Sequence, residues 1–396
     1  MLPPTPIRRL TLVPLVVVIA GALAALTPAV ALLTVAFNLI RRRTGLGREP
    51  RSRLLRVVWL GLAWSAGEIA ALTVFLCLWI VSGFGGRLDT EPYQDRHYAV
   101  MKWFLDLIYR TAVRVCGLNV TVSGPVSAGT GPASTGSAST GPASPGAGRP
   151  FIVLCRHAGP GDSLLLIHYL LSVCERRPRV VMKATLQLDP SVDVVANRVP
   201  NAFLRRTKSK SRSETNRGLR TGAADTRHTD QIRRLAAGLD GRGALAIFPE
   251  GGNWTLYRWR RAIDRLRRRG RPDLADRAAA MPNVLPPHPN GALAAIAACP
   301  QADVIFVAHT GLDRLVSVRD VWRSLRADLE LRARWWRVPA ANVPRSAARE
   351  AQITWLYDWW QRVDAWITAE NAAGKDPIGE DAQTDRGGPL ARPAAT

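Results

Sequence analysis

A histidine and an aspartate five residues apart, His157 and Asp162, are the pair in this sequence best suited to chemistry. An apolar run of β-strand character ends at His157, a Gly-Pro-Gly turn follows, and Asp162 begins an apolar segment with helical spacing. In that arrangement the carboxylate can hold one ring N–H and leave the other imidazole nitrogen free as a base. The alternative interpretation is that Asp162 caps the helix and His157 merely ends the strand.

Two later apolar runs also end in polar residues. One covers residues 180–183 and ends at Lys183, and the other covers 243–248 and leads into Pro-Glu-Gly-Gly at 249–252. Between them, residues 203–206 read Phe-Leu-Arg-Arg. Helix-like and strand-like segments alternate here, which predicts an α/β domain, and ligands bind at strand ends in open sheets of this kind. The predicted strands cover 119–123, 180–183, 243–248 and 302–309, and the predicted helices cover 97–118, 228–239, 258–269 and 346–369.

These segments, in this order, resemble the motifs of the lysophospholipid acyltransferase family, specifically of the 1-acylglycerol-3-phosphate acyltransferases. The resemblance covers about residues 90–345 together with two apolar segments before them. Residues 157–162 match the family's His-x4-Asp motif, residues 203–206 look like the end of its second motif, and residues 248–251 match its third. The third match is the most specific of the set.

The sequence departs from the family pattern at three positions. Pro200 stands where the second motif usually has glycine, and Gly252 replaces the usual threonine or serine after Glu-Gly. In the fourth motif, at 304–307, Phe306 takes the place of the usual proline. These departures bear on the substrate more than on the type of reaction.

The resemblance implies an α/β fold with a mixed sheet flanked by helices and an N-terminal hydrophobic helical hairpin. It implies transfer of a fatty acyl chain from acyl-CoA or acyl carrier protein to the free hydroxyl of 1-acylglycerol 3-phosphate, giving phosphatidate. No metal or cofactor is expected besides the acyl thioester co-substrate. Two alternatives stay open: another acceptor, such as glycerol 3-phosphate, a different lysophospholipid or a glycolipid, and an inactive lipid-binding scaffold.

The chemistry assigns a role to each member of the pair. A lipid hydroxyl is a poor nucleophile until a base takes its proton, and an imidazole does so at neutral pH. We expect His157 to be that base and Asp162 to fix its tautomer, with direct attack on the thioester and no acyl-enzyme. Backbone N–H groups near Gly159 to Ser163 are expected to stabilise the developing oxyanion.

Four residues are expected to bind the substrate. Arg206, which matches the arginine of the second motif, suits a bidentate grip on the phosphate. The resemblance implies that Glu250 and Gly251 bind the glycerol phosphate, and that Lys183 occupies a position that is often basic. The alternative for Glu250 is an ion pair with one of the many arginines.

The amino-acid composition restricts the kinds of molecule that the protein is expected to bind. The 396 residues contain 54 Lys and Arg against 31 Asp and Glu, a formal net charge of +23, which predicts an anionic partner. Anionic membrane lipid, the phosphates of coenzyme A and an acidic acyl carrier protein all fit. A nucleic-acid binder would draw on the charge alone, because no reading motif is present. Five scattered cysteines favour a reducing compartment, and Cys155, two residues before His157, is expected to pack in the core.

The N-terminal region, residues 1–90, is predicted to be a membrane-associated hairpin. Its two apolar runs, 10–40 and 57–84, exceed the ~18 residues of a spanning candidate. Seven arginines between 41 and 56 predict a cytoplasmic loop. We expect the hairpin to enter the cytoplasmic leaflet without crossing, with breaks at Pro28 and near Gly67-Glu68, and to hold the catalytic domain on the cytoplasmic face of the cell membrane. The alternative is two full spans, which would place the rest of the chain outside. Glu68 would be costly in lipid and should face a protein partner or an interface.

The remaining domain organisation follows from composition. The acyltransferase domain is placed at 91–345, interrupted by a Gly/Ala/Ser/Thr/Pro tract at 124–149 that is expected to be a disordered loop between neighbouring strands. A tryptophan-rich amphipathic helix at 346–370 is expected to pack on the core, with membrane anchoring as the alternative. Residues 371–396 are expected to be a disordered tail.

Overall fold

The computed structural model of the protein describes residues 3–43, 53–124, 148–159, 161–204, 214–312 and 329–373. Most of the tract at 124–149, all of the tail beyond 373, the arginine loop at 44–52 and Arg206 lie outside the described residues, so the predictions for them stay predictions. Within the described part, a mixed α/β sheet flanked by helices is present, as expected.

The sheet has seven strands in the order β1-β7-β6-β2-β5-β3-β4. Strands β2 to β6 run parallel to one another, β7 is antiparallel to β6, and β1 is parallel to β7. The prediction that the tract at 124–149 joins neighbouring strands is wrong, because β7 and β6 lie between β1 and β2. The strands are β1 Asn119–Ser123, β2 Phe151–Cys155, β3 Arg177–Lys183, β4 Ala202–Leu204, β5 Gly243–Ile247, β6 Asp303–Thr310 and β7 Glu330–Val338.

Helices cover both faces of the sheet and confirm the predicted alternation. The helix predicted at 97–118 begins earlier, at Glu91, because Pro92 is compatible with a first helical turn. The described helices are α1 Thr5–Arg43, α2 Arg53–Val81, α3 Glu91–Cys116, α4 Asp162–Ser172, α5 Pro190–Ala196, α6 Glu214–Ala237, α7 Leu256–Arg268, α8 Pro272–Ala279, α9 Pro289–Ala298 and α10 Arg349–Ala373, with 3-10 turns at Ala184–Leu188 and Ala340–Asn342.

The central strands β2, β5 and β6 are buried along their whole length, as their uninterrupted apolar sequences require. The tryptophans of α10 complete one side of this core: Trp360 is fully buried and Trp359 stacks on Phe306 of β6 at 4.7 Å between ring centroids. The interpretation of this helix as a core element is therefore confirmed. Cys155 also packs in the core, where burial raises the pKa of its thiol well above the usual range.

Helices α1 and α2 are each long and apolar enough, by length and composition, to cross a membrane. Both run without interruption, so the expected breaks at Pro28 and Gly67-Glu68 are wrong. A proline removes a single backbone hydrogen bond, and the apolar residues around it favour keeping all the others.

Helix α2 packs along α3 rather than standing away from the α/β domain. Trp64 contacts Phe104 edge to face at 5.4 Å, and Phe75 stacks on His97 at the same centroid distance. Glu68 is buried, and its Oε1 accepts the Ser191 N–H of α5 at 3.3 Å. Glu68 thus faces protein rather than lipid, as its cost in lipid requires, but the protein is this chain's own α5 and not a separate partner.

Candidate active site

The His157–Asp162 pair forms where β2 leaves the sheet and α4 begins. His157 Nδ1 lies 2.9 Å from Asp162 Oδ2 and 3.1 Å from Oδ1. This contact assigns the ring proton to Nδ1 and leaves the lone pair on Nε2. The Asp162 side chain is 1% exposed and that of His157 is 14% exposed, so the imidazole is the member that faces outward.

Asp162 is held as a carboxylate by several donors at once. Oδ2 accepts the backbone N–H groups of Ala158 at 2.8 Å and Gly159 at 3.2 Å. Burial acts to raise the pKa of Asp162, but the hydrogen bond from His157 and the proximity of His309 outweigh it and hold the pKa below its ordinary value. The capping position of α4 is occupied by Gly161, not by Asp162. The carboxylate therefore points back at the histidine and the turn, as the base-orienting interpretation requires.

A second histidine at this carboxylate, His309, has no role among the sequence-based predictions. His309 Nε2 lies 3.2 Å from the Arg156 carbonyl oxygen and 3.6 Å from Asp162 Oδ2. It stands near the end of β6, parallel to β2, which is why the two strands bring their histidines to the same edge. The sequence does carry a signal for His309, because this residue ends the strand predicted at 302–309.

Arg156 ties the loops behind the pair together. Its guanidinium is buried and donates to the carbonyl oxygens of His309 at 2.6 Å and Asn283 at 2.9 Å. Asn283 in turn donates its backbone N–H to Asp364 of α10 at 2.7 Å. The C-terminal helix thereby supports the residues at the edge of the sheet where His157 and Asp162 lie.

Glu250 reaches the same edge from β5. Its Oε1 accepts the His157 N–H at 3.2 Å and its Oε2 accepts the Leu285 N–H at 3.1 Å. Burial raises the pKa of Glu250 to about 8, against the opposing effects of Arg156 and these two N–H groups. Both oxygens are engaged by backbone, so in this structure Glu250 braces the chain on either side of the site; its role toward substrate stays a prediction.

Gly251 has a backbone φ of +68°, in the left-handed region that favours glycine. A Cβ there would also lie 3.2 Å from His288 Cδ2. Glycine at this position therefore lets the chain turn immediately after Glu250.

Replacement of Gly251 by alanine is expected to cost ~1–2 kcal/mol of unfolding free energy and to lower activity by up to about 10²-fold, because Glu250 and its loop shift. Gly270→Ala is the matched control, since Gly270 has φ +70° and a Cβ added there would meet nothing within 4 Å. Chemical unfolding and enzyme assay of both variants check this. Equal activity losses in the two would contradict the role of Gly251.

Lys183 ends β3, and its Nζ lies 4.0 Å from where a Cβ on Gly252 would stand. The structure thus places Lys183 beside the Glu-Gly-Gly turn. Strand β4 pairs with β3 up to Leu204, opposite Lys183. The described residues end at Leu204 and resume at 214, so the prediction for Arg206 is not tested.

The expected oxyanion donors are only partly available. The Gly159 N–H donates to Asp162 and is already occupied. The N–H groups in the first turn of a helix have no intrahelical acceptor, which leaves the start of α4, at Gly161, Asp162 and Ser163, as the remaining source. Among the described residues, no group of three or more His, Cys, Asp or Glu side chains is arranged to hold a metal ion.

Comparison with known proteins adds one finding. A family model described as Acyltransferase matches residues 136–288, which include His157, Asp162 and the Pro-Glu-Gly turn. No curated protein and no solved structure matches the chain. The match is narrower than the resemblance noted above, since β1, β6, β7 and α10 lie outside it. Residues 136–288 are thus similar to an acyltransferase domain, and this similarity supports general acyl transfer as the type of reaction.

Proposed function

We propose that this protein is a membrane-associated O-acyltransferase that moves a fatty acyl chain from acyl-CoA or acyl carrier protein to the free hydroxyl of 1-acylglycerol 3-phosphate. The observation that carries the proposal is the 2.9 Å contact between His157 and the buried carboxylate of Asp162, inside the region that matches the acyltransferase family. That contact leaves Nε2 as an outward-facing base.

The reaction proceeds without a covalent enzyme intermediate. His157 Nε2 takes the hydroxyl proton as the acceptor oxygen attacks the thioester carbonyl carbon. The tetrahedral intermediate collapses, the C–S bond breaks, and the leaving thiolate takes the proton back from the imidazolium. Asp162 stabilises that imidazolium across Nδ1. Cys155 is no alternative nucleophile, because it is 1% exposed and burial raises its thiol pKa.

The reaction is tested by following a labelled acyl chain from palmitoyl- or oleoyl-CoA into lipid product in mixed micelles. Phosphatidate formed from 1-acylglycerol 3-phosphate supports the proposal. A panel of glycerol 3-phosphate, other lysophospholipids and glycolipids, offered with both acyl-CoA and acyl carrier protein, then ranks acceptors and donors. Absence of transfer across the whole panel would instead favour a lipid-binding scaffold.

We further propose that the hairpin of α1 and α2 lies in the cytoplasmic leaflet of the membrane. Among the described residues, none is buried in the most apolar 18-residue stretch of α1, and Leu10 and Leu32 of this helix are 76% and 71% exposed. Helix α2 instead stays against α3. A helix that stays packed on the catalytic domain along most of its length is better suited to lie within one leaflet of the bilayer than to carry the domain across the membrane.

The mouth of the site supports the same orientation. Leu186 and Leu188, in the turn after Lys183, are about half exposed, as is Leu256, and Tyr257 is 70% exposed. Lys183 and Arg258 both approach the position that a Cβ on Gly252 would take, and on this ground we propose that these apolar side chains border one rim of the site. A rim of this kind admits a lipid acceptor from the membrane surface.

Cysteine labelling tests the topology. In a Cys77→Ser background, which removes the exposed native thiol, Gly47→Cys and Arg268→Cys place single reporters in the arginine loop and on the catalytic domain. We expect a membrane-impermeant maleimide to label both reporters in inverted vesicles and neither in intact cells. Labelling of the two positions from opposite sides would contradict a hairpin confined to one leaflet.

A further inference from the structure

Two cationic side chains border the space beside Gly252. A Cβ on this buried glycine would lie 3.1 Å from Arg258 Nη1 and 4.0 Å from Lys183 Nζ. The backbone of Gly252 lies outside the left-handed region, so the turn itself does not require glycine here. The limit on side-chain size comes from Arg258.

Local hydrogen bonds fix the position of Arg258, the third residue of α7. The Thr255 hydroxyl accepts the Arg258 backbone N–H at 3.2 Å, and Arg258 Nη1 donates to the Asn253 carbonyl oxygen at 3.0 Å. The backbone N–H of Trp254, which lies between Asn253 and Thr255, donates to the His157 carbonyl oxygen at 3.0 Å. The chain therefore folds the guanidinium back over Gly252 and ties this turn to the catalytic histidine.

The charges at this turn favour an anionic ligand. Arg258 is exposed and makes no ion pair with any residue that the structure describes. Glu250, two residues before Gly252, already has both oxygens on backbone N–H groups. Two cationic groups within about 4 Å of one point attract an anion, and a phosphate between them would accept charge-assisted hydrogen bonds from both.

We propose that Arg258 and Lys183 together bind a phosphate monoester of the substrate in the space left by the absent side chain at 252. The proposal rests on the proposed function and names Arg258 as a binding residue supplied by α7, outside the sequence motifs. Gly252, a departure from the family pattern, is the residue that admits it. The phosphate comes either from the acceptor headgroup or from the coenzyme A of the donor.

The test compares Arg258→Gln with Arg268→Gln, which removes the same charge about 15 Å further along the same helix. Arg258→Gln is expected to raise KM for the substrate whose phosphate it holds by about 10- to 100-fold, the effect of losing one hydrogen bond to a charged group, with kcat within about 2-fold. The substrate whose KM rises, acceptor or acyl-CoA, identifies the source of the phosphate. An unchanged KM for both would overturn the proposal.

A binding measurement keeps this test separate from the reaction itself. Titration calorimetry of the His157→Ala protein with the soluble probes 1-hexanoylglycerol 3-phosphate and coenzyme A reports phosphate binding without turnover. Adding Arg258→Gln should lower the affinity for one of these probes by about 10- to 100-fold. Gly252→Ser should lower the same affinity, because the serine side chain displaces the Arg258 guanidinium. Equal affinity with and without Arg258 would overturn the site even if acyl transfer is confirmed, whereas loss of affinity would support it even if the acceptor differs.

Discussion

Replacement of His157 by alanine is expected to lower kcat for acyl transfer by about 10²–10⁴-fold, the contribution of a well-placed general base. The imidazole is the outward-facing member of the pair and packs on the Phe248 ring at 4.7 Å between centroids, so its loss should leave the sheet intact. The rate is measured in mixed micelles with labelled acyl-CoA, and circular dichroism verifies the fold.

His168→Ala is the matched control for this variant. His168 also pairs with a carboxylate, its Nε2 lying 2.8 Å from Asp106, but it stands on α4 away from the strand ends. The control should retain wild-type kcat. If His157→Ala kept more than about a tenth of the activity, His157 would not be the base. Asp162→Asn is a less clean test, because Asp162 also holds the turn through Ala158 and Gly159.

Replacement of Asp193 by asparagine is expected to reduce the free energy of unfolding by ~3–5 kcal/mol, because it leaves a buried cation without its counterion. Asp193 of α5 is 1% exposed and pairs with Arg8 and Arg9 at the start of α1; Arg8 is itself buried, and the Arg9 contact measures 2.8 Å. Asparagine has nearly the same shape as aspartate, so the lost free energy of unfolding reports the effect of removing the Asp193 charge. Urea unfolding of the full chain in detergent micelles measures it.

Asp358→Asn provides the control. Asp358 pairs with Arg277 at 2.5 Å but is 55% exposed, and exposed pairs contribute up to about 1 kcal/mol. If the two variants were equally stable, the contact between α1 and α5 would not anchor the hairpin to the catalytic domain.

Local patterns in the sequence are sufficient to predict the strands that carry the chemistry. The predicted bounds of β1 match the observed ones, and the runs ending near His157, Lys183, Phe248 and His309 are all strands in the structure. These segments are short, apolar and bounded by glycine, proline or charge, and such signals depend only on neighbours along the chain. Because the strands are parallel, their polar ends meet at one edge, so His157, Asp162 and Glu250 can be grouped before any coordinates.

The order of strands depends on tertiary structure. β7 inserts between β1 and β6, which separates β1 from β2, the two strands that the tract at 124–149 connects along the chain. No local pattern encodes which strands pair, since the same apolar run fits several positions in a sheet. The approach of His309 to Asp162 follows from that order, through the pairing of β6 with β2.

Residue types at the site and the apolar segments around it can thus be read from the chain without coordinates. Which distant polar groups meet is settled only by the folded arrangement: Arg8 with Asp193, and Glu68 with the α5 backbone. Each is a polar group whose burial or crowding is tolerable only with a specific partner, and that partner comes from another element of the fold. Periodicity predicts which face of an element is buried, but contact between elements selects the partner.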